Sequence, residues 1–142
     1  MAFTYLLGTL LCRRLLRRLG VPQTVALGGM FSLLGGCLMA INVWLGWQSV
    51  LSLMGPFYLF VLGHGIHQPC GQSGAVGPFP KAAGAASALG GFLMMVIAFL
   101  TGLWLGVAKD GSALPMAQSI AFWSVATALS AWLVLRRGGP RV

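Results

Sequence analysis

The chain has 142 residues, 58% of them hydrophobic and 7% charged, with a formal net charge of +8. A soluble domain carries about 45–50% apolar and about 25% charged residues, and a chain this short exposes too much surface to hide such an excess from water, which rules out an ordinary soluble fold. The basic residues argue for a membrane rather than for nucleic acid: Arg13, Arg14, Arg17, Arg18, Lys81, Arg136, Arg137 and Arg141 each stand just outside a long apolar run, a pattern of membrane topology.

In chain order, the first apolar run, Met1 to Leu11, spans only about half of a 30 Å hydrocarbon core at 1.5 Å per residue. It reads as the end of a truncated helix, residues 1–12, whose beginning lies upstream. The basic loop RRLLRRLG, Arg13 to Gly20, follows. Four further runs are long enough to cross: 21–41, 50–75, 82–108 and 114–135. The expected fold is therefore all-α, an integral membrane helix bundle of four full transmembrane helices plus the truncated first one. Arg13 to Arg18, Lys81 and the tail RRGGPR alternate with an uncharged connector around Asn42 and one holding Lys109 beside Asp110, the only acid. Cytoplasmic short loops are enriched in Lys and Arg. This places the basic side, with the C-terminus, in the cytoplasm of a multi-pass inner-membrane protein, and Trp44, Trp47 and Trp104 near the outer interface.

Small residues recur every fourth position at Gly28, Ser32 and Gly36, and again at Gly102 and Gly106, while AGAASALGG contributes Gly84, Ser87 and Gly91. Such faces let helix backbones approach closely where no hydrophobic effect acts between helices, so they are read as packing positions. The stretch HGIHQPCGQSGAVGPFP, His64 to Pro80, is different. His64 and His67 share a helix face, and Gln68 and Gln72 lie on much the same side. Polar side chains at membrane depth cost free energy unless they meet a partner or a watery cavity. The four are substrate or proton-pathway candidates, with hydrogen-bonding glue between helices as the even alternative for the histidines. Pro69, among Gly63, Gly65, Gly71 and Gly74, is expected to weaken or kink the helix there.

No catalytic residues, cofactor or metal site are expected. GxSxG, HExxH and P-loop patterns are absent. Ser73 with His67 lacks an orienting third group, and the two histidines lack the further ligands that a metal needs. Cys12, Cys37 and Cys70 form no CxxC pair and no disulfide framework. The chain has no Glu, so it does not fit the small multidrug-resistance proteins, which depend on a membrane-embedded Glu.

PFPKAAGAASALGGF, Pro78 to Phe92, resembles the signature at the start of the penultimate helix in the Bcr/CflA (bicyclomycin and chloramphenicol resistance) drug-efflux branch of the major facilitator superfamily. The arginine-rich loop Arg13 to Gly20 is similar in place to the basic loop between that superfamily's eighth and ninth helices. Cys12 stands where an Asp often precedes the Arg of the loop motif, and His64, His67 and Gln68 are not part of the general signature. The resemblance implies the last third of a transporter that exports drugs or small molecules by proton antiport with alternating access. Its partners would be membrane lipid, a drug-like substrate, protons and the missing N-terminal helices. The other reading is a complete small membrane protein acting as an assembly partner without transport of its own.

Overall fold

In a computed structural model, residues 2–47, 49–109 and 111–137 are described, with side chains as far as Leu133. The expectations for Met1, Asp110 and the side chains of Arg136, Arg137 and Arg141 lie outside these residues. The described chain forms an all-α membrane bundle. Four helices are long and apolar enough to span a bilayer: α1 (Ala2–Trp44), α2 (Val50–Val76), α3 (Ala83–Val107), which a short 3-10 turn at Pro80–Ala82 precedes, and α4 (Leu114–Arg137).

α1 is two limbs joined at Gly20, whose φ of 77° and ψ of 175° lie in a region essentially restricted to glycine. Pro22 follows in the first turn of the second limb, where a missing N–H costs little, and the Thr24 hydroxyl donates to the Gly20 carbonyl at 2.7 Å. The four arginines expected in a loop instead continue the first limb as helix up to this break. Arg and Leu are both strong helix formers, and nothing in RRLLRRL interrupts them.

The limbs run in opposite directions along α2. Before the break the two helices advance together, with Gly8 against Gly65 and Cys12 against Cys70. After it they run antiparallel, with Gly28 against Ile66 and His67, Gly35 against Phe60 and Asn42 against Ser52. α4 lies antiparallel to the same second limb, pairing Gly29 with Ala131 and Gly36 with Ser124, while Val43 and Ala117 share an apolar cluster. Arg13 to Arg18, the Lys81 turn and the end of α4 therefore gather at one end of the bundle. The connector after Trp44 and the start of α4 lie at the other.

Small side chains make this packing possible. Gly28, Ser32 and Gly35 face α2, whereas Gly29 and Gly36 face α4, so one limb serves two interfaces. Gly36, expected on one face with Gly28 and Ser32, turns toward α4 instead, because the limb is shared. α3 differs from the rest: none of its residues is buried. A methyl group at Gly84, Gly90, Gly91, Gly102 or Gly106 would meet no other atom within 4 Å.

The first connector ends α1 with a left-handed glycine, Gly46, whose N–H bonds to the Val43 carbonyl while that of Trp47 reaches Asn42, a Schellman closure. Ser49 caps α2 by accepting from the Ser52 N–H at 3.2 Å. α2 continues as one helix through Pro56 and Pro69. Proline lacks the N–H that would bond to the carbonyl four residues earlier. For Pro56 that carbonyl belongs to Ser52, and the Asn42 amide donates to it at 2.8 Å. Asn42→Ala is thus expected to lower stability by about 1–3 kcal/mol, measurable by denaturant titration in detergent. An unchanged midpoint would remove the role assigned to Asn42.

Candidate functional site

α2 and α3 touch only sparingly, and between them lies a cleft of about 460 Å³. His64, His67, Gln68 and Gln72 line it from α2, and Ser87, Gly91 and Met94 are among its residues on α3. The four polar residues singled out in the sequence are thus brought to one cavity. Helical spacing accounts for it: positions 64, 67, 68 and 72 project from successive turns of one face. Gly63, Gly65 and Ile66 belong to the opposite face, buried against α1. The division between apolar packing and polar lining therefore follows the helix period.

An aromatic series holds the imidazoles. Phe57 and Phe60 lie 6.2 Å apart between ring centroids, and Phe60 stacks on His64 at 6.2 Å with 13° between planes. His64 meets His67 edge to face at 5.1 Å. Tyr5, on the first limb, reaches across to this group. Its ring is 6.2 Å from His64, and its hydroxyl donates to Gln68 Oε1 at 2.7 Å. Gln68 is thereby oriented from outside its own helix, leaving its amide NH2 group to donate. His64, His67 and Gln68 are half-buried and Gln72 is exposed. Packed on one side and open on the other, the imidazoles can exchange protons or hydrogen-bond to a guest.

Tyr5 went unmarked in the sequence because its partner is 63 positions away. The available signal was a phenol hydroxyl within an apolar run, a group that needs a partner when buried. Ser87 and Gly91, read as packing positions, line the cleft. A methyl group added at Gly84, Gly102 or Gly106 would reach no neighbouring element within 4 Å. Arg13, Arg14, Arg17, Arg18 and Lys81 are exposed at the basic end. No cluster of three or more His, Cys, Asp or Glu side chains able to hold a metal occurs among the described residues.

Behind this face, the buried thiols of Cys12 and Cys70 approach to 3.4 Å between sulfurs, with Ile66 beside them, and both are free cysteines. They fasten the first limb to α2 just below the histidines. A second groove, about 450 Å³, lies between α3 and α4 near the opposite end, with Trp104, Gln118 and Trp123 in its wall. It holds no His, Cys, Asp, Glu, Lys, Arg or Tyr.

Over 64 residues, 45% of its length, the chain is 45% identical to Multidrug resistance protein D of Escherichia coli (strain K12), and the match covers 16% of that protein. The chain is related to a multidrug resistance protein. No protein-family model matches it, and no solved structure matches it. The relationship joins the spanning helices in describing a multi-pass membrane protein.

Proposed function

We propose that this chain forms the C-terminal part of a proton-driven exporter of drug-like small molecules, of the Bcr/CflA type in the major facilitator superfamily. The observation that carries the reading is the cleft between α2 and α3, where two imidazoles and two amides converge. The sequence relationship to a multidrug resistance protein supports it. Imidazole is the side chain whose charge ordinarily changes between pH 5 and 8. In a chain without Glu it is the natural group to take up and release a proton as substrate passes. The amides of Gln68 and Gln72 offer donors and acceptors to uncharged polar parts of a guest, and Met94 offers an adaptable apolar surface. The protein acts as a transporter rather than an enzyme, with helices encoded upstream completing the substrate path and rocking against this half during alternating access.

The gathering of basic residues at one end supports an inner-membrane orientation with that end and the C-terminus in the cytoplasm. The whole upstream-extended reading frame, expressed in bacteria stripped of their own exporters, should lower accumulation of apolar drugs, and collapse of the proton gradient should restore it. Alkaline phosphatase fused after Trp47 should be active, and fused after Lys81 inactive. Unchanged accumulation across a broad drug panel would sink the transport reading, and the reverse fusion pattern would sink the orientation.

A further inference from the structure

At the basic end, Leu11, Arg14, Leu15, Arg17 and Arg18 line a groove of about 450 Å³ on the first limb of α1. Helical spacing produces it: positions 11, 14, 15 and 18 fall on one side over two turns, with Arg17 at its edge. Arg13, Arg14, Arg17 and Arg18 are exposed, and Leu11 and Leu15 are half-buried. The groove thus has hydrocarbon along one part of its wall and guanidinium groups at the other, at the end of an apolar spanning limb.

Among the described residues there is no acidic side chain to pair with these arginines. A guanidinium pairs two parallel N–H groups with the oxygens of a phosphate. Three of them above a leucine wall match a molecule with a phosphate at one end and hydrocarbon at the other.

We infer that this groove binds an anionic phospholipid, its phosphate held by Arg14, Arg17 and Arg18 and an acyl chain lying along Leu11 and Leu15. Leu11 and Leu15 pack against the cluster of Cys12, Ile66 and Cys70 on one side only, and a free phosphate would satisfy the arginines but leave the remaining, half-exposed leucine surface uncovered. A zwitterionic lipid would bring a positive headgroup to an already positive site. The site is separate from the histidine cleft and does not depend on the transport reading.

The test uses the purified full chain in a neutral detergent, titrated with phosphatidylglycerol, cardiolipin, phosphatidylcholine or inorganic phosphate and read by native mass spectrometry. Phosphatidylglycerol and cardiolipin adducts should survive at energies that strip phosphatidylcholine. The R14Q/R17Q/R18Q variant should lose that preference by about tenfold or more, since each basic group near an anionic surface contributes severalfold. R14K/R17K/R18K should keep part of it, and K81Q all of it. The single Gln variants should show stepwise losses and provide the reading if the triple variant fails to fold. Retention of phosphatidylcholine as strong as that of phosphatidylglycerol, or an unaltered preference in the Gln variants, would overturn the inference. So would displacement of the lipid by millimolar inorganic phosphate, which would mark an anion site without an acyl subsite.

Discussion

Gly35→Ala should destabilise the bundle by about 1–3 kcal/mol, while Gly102→Ala should leave stability unchanged or raise it by up to about 1 kcal/mol. The contrast comes from what a new methyl group meets. At Gly35 it would lie 2.5 Å from the Phe60 nitrogen and 2.6 Å from the Pro56 carbonyl oxygen, both backbone atoms of α2 that cannot rotate away. Gly63 faces the same difficulty, with the Ser32 nitrogen at 2.5 Å and the Gly28 oxygen at 2.6 Å. Relief requires separating the helices, and with them the van der Waals contact that holds a membrane bundle together. At Gly102 nothing lies within 4 Å, and alanine only improves helix propensity. Unfolding titrations of both purified variants give the comparison. A tolerated Gly35→Ala would contradict the packing of α1 on α2. A disruptive Gly102→Ala seen only within a longer protein would locate a helix that covers α3.

The second large effect concerns the cleft. H64A/H67A, made in the proposed exporter, should flatten the dependence of export on pH between about 5 and 8, the range in which imidazole changes charge. The packing on Phe60 separates a proton role from a structural one. H64Q/H67Q keeps polar groups of comparable size, so a merely structural pair should tolerate it and retain the wild-type pH profile. Loss of the pH response in both double variants, at normal membrane abundance, supports proton handling by the imidazoles. Unchanged transport at every pH in H64A/H67A removes both residues from the pathway.

The membrane fold could be read from the chain because its strongest determinant, the ratio of apolar to charged residues, is a property of composition alone. The polar face of α2 could be read as well, since His64, His67, Gln68 and Gln72 share it by local geometry. What stayed hidden depends on contacts between distant segments. Tyr5 acquires a role only when α1 brings it to Gln68, and Asn42 only when it lies beside the carbonyl that Pro56 leaves free. Gly29 and Gly35 fall outside the four-residue spacing at Gly28, Ser32 and Gly36, because the limb divides its small residues between α2 and α4. The spacing at Gly102 and Gly106 identifies a surface able to pack, while the presence of a partner is decided elsewhere. The arginine segment shows the opposite limit: charge suggested a loop, and helix propensity carried the backbone through to Gly20.

The placement of α4 also bears on the order of assembly during synthesis. Its partner is the second limb of α1, so Ala131 returns to Gly29 and Ser124 to Gly36 across roughly ninety to one hundred intervening positions. α3 leaves the ribosome before α4, yet buries none of its own residues in this core. The nascent bundle must therefore keep the α4 side of α1 open while α3 is inserted, and α4 then closes over the second limb of α1. Helix order in space is consequently not the order of release, and α3 is the span that later docking events can reach without undoing the rest.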